Sequence, residues 1–138
     1  MQYLLDTDTL TLLVKGHPGV NQKVAKHSTS ELFTSVITVE EQLTGWYSKL
    51  RRTKQSTELA RIYFKLQQTV QYLGRINVMP FTVLAIDRWE ILRHAKLYVG
   101  SMDLKIAAIA LEHQAIVVSR NVRDFNRVPG LVVEDWSV

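Results

Sequence analysis

The sequence predicts an α/β protein, a three-layer α/β/α sandwich around a central, mainly parallel sheet of four or five strands. Three observations predict it. Short β-branched or apolar runs alternate with longer stretches of helical periodicity, the pattern of strands joined by crossover helices. The strand candidates are apolar nearly throughout, as strands covered on both faces are. No low-complexity segment, internal repeat or evident linker interrupts the 138 residues, so a single domain spanning 1–138 is expected.

In chain order, Gln2 to Leu5 reads as a strand and Leu10 to Val14 as a short helix ended by Gly16, with Pro18 just beyond. Val20 to His27 reads as a second short helix. Leu32 to Ile37 (LFTSVI) is β-branched and apolar, a buried strand. From Thr38 to about Arg52 the chain turns helical. The next helix, Thr57 to Leu73, carries Leu59, Ile62, Leu66, Val70 and Leu73 at helical spacing. Ile76 to Met79 is a strand closed by Pro80. Val83 to Leu97 is a helix with Leu84, Trp89, Leu92 and Ala95 as core candidates. Met102 to His113 is a compact helix built on IAAIA. Ala115 to Val118 and Leu131 to Val133 supply the last strands.

Composition narrows the chemistry. Apolar residues make up 46% of the chain, enough for a chain of this length to bury roughly two-thirds of its unfolded surface without a staple. The absence of cysteine excludes disulfides, zinc–thiolate sites and iron–sulfur clusters, and fits a reducing compartment. His17, His27, His94 and His113 are scattered, with no HxH or HExxH spacing, which argues against a histidine metal site. No run approaches the roughly 20 apolar residues of a membrane span, and the N-terminus lacks a signal-peptide pattern. The expectation is a cytoplasmic protein with no membrane partner. Its net charge of +4 permits a polyanionic ligand, and Lys49, Arg51, Arg52 and Lys54 cluster at a helix end where simple solvation is the alternative reading.

Four acids share one setting. Asp6 follows the first strand, Glu41 follows LFTSVI, Asp103 opens the IAAIA helix, and Asp124 lies just beyond AIVVSRN. The carboxyl ends of parallel strands form the ligand crevice of an open sheet. Each acid also has a plain structural reading. Thr38 and Glu41 fit a capping box, Asp103 suits a helix first turn, Asp8 suits an N-cap, and Asp124 suits a turn. Caps need no charge, however, and acids converging at one edge repel unless a cation lies among them. Oxygen ligands without histidine or cysteine point to Mg²⁺, with Mn²⁺ also suitable.

LLDTDTLTLL, SVITVEEQLTG, VGSMDLKIAAIAL and VVSRNVRDFNRVPGLVVEDW resemble, in order, the motifs of PIN-domain ribonucleases, and more narrowly of VapC-type toxins from toxin–antitoxin pairs. The resemblance runs from Gln2 to Trp136. It implies a PIN-like fold and metal-dependent hydrolysis of RNA phosphodiesters. Asp6, Glu41, Asp103 and Asp124 match the family's catalytic acids, with Asp6, Asp103 and Glu41 as metal ligands. Glu41 is preferred over Glu40 by its spacing to Gly45. Asn121 or Ser119 shares the corner of Asp124. Asp8 stands where many members have Asn or Ser, and Met102 where Asn is frequent. Asp8, Ser119, Arg120, Asn121, Arg51 and Arg52 are candidate substrate contacts, chosen by charge and position. The resemblance also implies a homodimer and a cognate antitoxin protein covering the site. Trp46, Tyr47, Tyr63 and Trp89 are aromatic interface candidates, with core packing as the alternative.

Three rival readings remain. LLDTDTL superficially matches the D-x-D-x-T start of haloacid-dehalogenase-type phosphatases. The same fold can serve as a catalytically silent RNA- or protein-binding module. An RNA-processing nuclease that is not a toxin would carry the same residues.

Overall fold

The computed structural model describes all of residues 1–138. Five strands, β1 (Tyr3–Leu5), β2 (Leu32–Ser35), β3 (Asn77–Met79), β4 (Ile116–Val118) and β5 (Val133–Glu134), form one sheet in the order β3-β2-β1-β4-β5. Every pairing is parallel, with Tyr3 opposite both Leu32 and Ile116. Helices α1 (Thr7–Val14) and α2 (Pro18–Val24) connect β1 to β2, and α3 (Val36–Arg52) and α4 (Ser56–Leu73) connect β2 to β3. Then α5 (Val83–His94) and α6 (Ser101–His113) return the chain to β4, and α7 (Val122–Phe125) precedes β5.

The side-chain alternation of a strand divides the core in two. Leu4 and Val117 pack with Ile106, Ile109 and Phe125 on one face; Leu5 and Val118 pack with Val20, Leu32 and Trp136 on the other. Ile106 through Ala110 of α6 are all buried. The alanines let this helix lie close against the sheet and α5, which explains a run with no polar face. Trp136 closes the second face, stacked on His27 with ring centroids 5.1 Å apart and planes 1° apart, and tilted against Tyr3.

Chain order reverses across β1. The first connections run outward to β2 and β3, and α5 and α6 carry the chain back to β4 on the other side of β1. Such a reversal opens a crevice beyond the carboxyl ends of the strands.

The structure corrects several element boundaries and phases. LFTSVI is a strand only to Ser35, whose hydroxyl accepts the Thr38 N–H at 3.2 Å and caps α3. Thr38 therefore lies inside the helix, and the expected Thr38–Glu41 capping box does not form. Helix α1 begins at Thr7, directly after the strand, because Asp6 rather than Asp8 is its cap. Asp124 sits in the first turn of α7, a short helix that the sequence reading placed as a turn. In α5, Leu84 is 65% exposed and Ala95 is also exposed, whereas Ala85 and Leu92, seven residues apart, are buried with Trp89 half-buried on the same face. Leu84 lies one residue, hence about 100°, off that stripe. In α4, Val70 is 57% exposed, and the buried slot belongs to Thr69, whose hydroxyl accepts the Trp46 Nε1–H at 2.8 Å. A polar residue with a partner thus displaced the apolar residue beside it.

Candidate active site

Asp6 is placed by backbone geometry. Its own N–H continues the β1–β4 ladder to the Val118 carbonyl at 3.1 Å, and its Oδ1 accepts the Thr9 N–H at 2.9 Å as the cap of α1. Strand and helix meet at this residue with no loop between them. Asp6 is only 6% exposed. Burial pushes its carboxyl above the usual carboxylate range, opposed by hydrogen bonds from Ser119 and Thr9, while the nearby Asp8 charge pushes the same way as burial.

Glu41 reaches the same crevice from α3. The Thr7 hydroxyl donates to Glu41 Oε1 at 2.7 Å and lies 3.0 Å from the Thr38 hydroxyl. Glu40, its neighbour, is exposed, so the structure favours Glu41 as the inward acid. Asp103 lies in the first turn of α6 and Asp124 in the first turn of α7. The two are joined by Asn121, whose Nδ2 donates to Asp103 Oδ2 and to Asp124 Oδ2, each at 3.1 Å. Arg127 pairs with Asp124 at 3.3 Å from the outer side. Ser119 Oγ, in turn, accepts the Asn121 N–H at 2.8 Å.

Asp103 reports on the whole arrangement. Its carboxyl is raised first by burial, against the Asn121 hydrogen bond, and then by the charges of Asp6, Glu41 and Asp124 in that order. Asp103 thus lies within electrostatic reach of the other three acids around one space, with Asn121, Thr7, Ser119 and Thr9 as the donors that hold them. Thr7 and Thr9 were not among the candidate residues visible from the sequence. The DTDT alternation, which puts one hydroxyl beside each of the first two acids, was the available signal.

Asp8 points away from this space. It binds Arg120 in a two-pronged ion pair, with Nε at 2.7 Å and Nη2 at 3.0 Å, on the exposed rim. Asp8 holds the Arg120 guanidinium above its ordinary range, with smaller help from Asp135 and Asp6. Arg51 and Arg52 are exposed at the last turn of α3. They lie about 15 Å along the helix beyond Glu41 at 1.5 Å per residue, so the structure does not bring them to the acids. Of the aromatic candidates, Trp46 and Trp89 are half-buried and Tyr47 and Tyr63 exposed. Trp89 packs edge-on against Phe81 at 6.2 Å.

No group of three or more carboxylates or imidazoles forms a ready-made metal cage. Mg²⁺ usually keeps several waters and binds one or two carboxylates together with substrate phosphates. An oxygen-only donor set whose members repel each other fits a hard divalent cation held in that open manner.

A family model for the PIN domain matches residues 3–131. The chain belongs to the PIN-domain family. This PIN domain is 28% identical over 144 residues to the ribonuclease VapC2 of Rickettsia felis, covering 99% of the chain and 98% of that protein. It is 28% identical over 140 residues to the tRNA(fMet)-specific endonuclease VapC of Salmonella typhimurium, with the same coverage. Among solved structures it resembles the DNA-bound VapBC of Salmonella typhimurium, with a TM-score of 0.77 at 25% identity over 99% of this chain and 98% of that one. The fold of VapBC-1 from nontypeable Haemophilus influenzae also matches, with a TM-score of 0.77 at 23% identity over the full length of both chains.

Proposed function

We propose that this PIN domain is a metal-dependent endoribonuclease and the toxin of a toxin–antitoxin pair. The observation that carries the reading is the gathering of Asp6, Glu41, Asp103 and Asp124 at the carboxyl edge of the sheet in a PIN fold. The named ribonuclease relatives, matched over nearly their whole length, support it. Asp6, Asp103 and Glu41 are the residues that would hold Mg²⁺ or Mn²⁺. When bound, such an ion orients the scissile phosphate, neutralises its developing charge and supplies hydroxide near neutral pH.

The chain's own groups set the stage for that chemistry. Asp6 cannot swing away, because its oxygen caps α1 and its backbone is locked into the sheet. Thr7 fixes one oxygen of Glu41 and leaves the other to bind a metal ion or to position the attacking water. Asn121 spaces Asp103 from Asp124, so that Asp124 can bind water from the far side. Arg120, oriented by Asp8 on the rim, approaches the non-bridging oxygens of the substrate phosphate. Ser119, hydrogen-bonded to Asp6, favours its charged form.

The VapBC complexes among the related structures support a small antitoxin partner, and an acidic site favours one that inserts a basic side chain. We extend the reading to a homodimer. No helix is long and apolar enough to cross a membrane.

The test is cleavage of total cellular RNA by purified, antitoxin-free protein, in Mg²⁺ against EDTA and in wild type against Asp6→Asn. Metal-dependent cleavage that the substitution abolishes is the expected result. RNA binding without cleavage, in folded protein with Mg²⁺, would establish the silent binding module instead.

A further inference from the structure

Beside the acid site, α1, α3 and α4 enclose an open groove of about 860 Å³. Its lining includes Lys15, Lys49, Arg61, Lys65 and Arg75, against a single carboxylate, Glu41 of the acid site itself. On α3 the lining residues Glu41, Gly45 and Lys49 follow at four-residue intervals and so form one stripe, from the acid outward. Lys49 is about 12 Å along the helix from Glu41.

Two features show that this groove is built. Its floor is cross-tied by polar bonds: Trp46 to Thr69 between α3 and α4, Tyr72 to Gln42 between the same helices, and Gln42 to Thr11 of α1 at 3.5 Å. Gly45 lies mid-helix, where glycine costs about 1 kcal/mol relative to alanine, yet a Cβ added there would meet nothing within 4 Å. Neither packing nor a left-handed turn requires that glycine. It keeps the groove open next to Glu41. The cations are exposed; Arg61 is bound by Glu58, with Nε at 3.1 Å from both carboxylate oxygens, and Lys49 also covers the Trp46 ring at 4.7 Å. Lys15, Lys65 and Arg75 have no acidic partner.

We propose that this groove is the track that carries a single-stranded RNA backbone to the acid site, with Lys15, Lys49, Lys65 and Arg75 as its phosphate contacts. The assignment rests on the nuclease reading and extends it. A polyanion entering a cluster of four acids needs counter-charge on its approach, and on this stripe it begins at Lys49, about two turns from Glu41. A protein helix would instead need apolar anchors at helical spacing, and only three of the groove's fifteen lining residues are hydrophobic. Within the basic cluster of the α3 end, only Lys49 faces the groove, and Arg51, Arg52 and Lys54 do not line it.

The test uses a labelled 12-nucleotide oligouridylate and a trinucleotide, with binding measured in EDTA and cleavage in Mg²⁺. The triple variant Lys15→Ala/Lys65→Ala/Arg75→Ala loses on the order of a hundredfold in 12-mer affinity at low salt. Its salt slope falls by about 2, at roughly 0.7 per phosphate contact on a single strand. Trinucleotide cleavage, which needs only the acid site, stays at the wild-type rate. Gly45→Leu, which fills the groove without changing charge, weakens the 12-mer and leaves the salt slope intact. An unchanged 12-mer affinity and slope in the triple variant overturns the track, as does an equal loss with the trinucleotide. Displacement of the 12-mer by an equimolar 12-residue oligoglutamate would overturn it in favour of an acidic polypeptide. Salt-dependent 12-mer binding by a wild-type protein that cleaves neither RNA would remove the nuclease reading and leave the track standing.

Discussion

Asn121→Ala removes the one amide that donates to two carboxylates at once. Hydrogen bonds to charged acceptors contribute about 1.5–3 kcal/mol each when buried. Both bonds here are 3.1 Å, longer than the roughly 2.7–2.9 Å of strong charge-assisted bonds, and both acids keep some solvent contact. Half of the lower figure for each bond is a fair measure, so the loss is about 1.5 kcal/mol. For a domain of this size that lowers Tm by about 5 °C. The assay is thermal unfolding in EDTA at pH 7.5 and again near pH 3.5. Asn121 favours the ionised Asp103, so its bond stabilises the fold only while that carboxylate is charged. The deficit should therefore be full at pH 7.5 and shrink as Asp103 takes up its proton. An equal deficit at both pH values would refute the reasoning and assign Asn121 to the backbone turn before α7 alone. A change of less than 1 °C at pH 7.5 would do the same to the carboxylate clamp.

Other outcomes follow from the same structure. Asp103 has a raised folded pKa, so its charge costs stability above that pKa and the cost vanishes below the ordinary value of 3.8. Asp103→Asn should melt higher than wild type at pH 7.5 in EDTA and lose that advantage in acid, as paired melting curves would show. Asp6→Asn should abolish RNA cleavage while Tm stays at or above wild type, since Asn caps a helix as well as Asp. Trp136→Ala removes the buried indole stacked on His27 and should cost about 3–5 kcal/mol in a urea titration. In Gly19→Ala, the new Cβ would lie 3.2 Å from the Trp136 carbonyl oxygen and 3.3 Å from that of Ser137. Backbone oxygens cannot rotate aside, so overpacking of about 2 kcal/mol outweighs a helix gain of about 1, and the same titration should show a net loss of about 1 kcal/mol.

The layers and the four acids were legible because both rest on local pattern. Apolar runs set strands, and each acid stood just past a strand or at a helix start. What escaped depends on contacts between distant segments. Nothing local distinguishes Asp6 from Asp8 as the cap; the choice follows from β1 pairing with β4, which sets where extended backbone ends. Likewise Val70 looked like core until Thr69 met Trp46, 23 residues away. The basic cluster showed the opposite failure. Lys49, Arg51 and Arg52 are neighbours in sequence, but helical rotation turns only Lys49 toward the groove. The groove itself was invisible, since Lys15, Lys65 and Arg75 come together only when α1 packs beside the α3–α4 hairpin.

The position of β1 also sets a timetable. The strand that precedes Asp6 is made before its partner β4 and before the segments bearing Asp103 and Asp124. At typical elongation rates, on the order of ten seconds separate the synthesis of the first acid from that of the fourth. A nascent or truncated chain holds Asp6 and Glu41 without their counterparts and without the ladder that orients Asp6. The four-acid cluster that the proposed chemistry requires therefore forms only after β4 and α7 have been made.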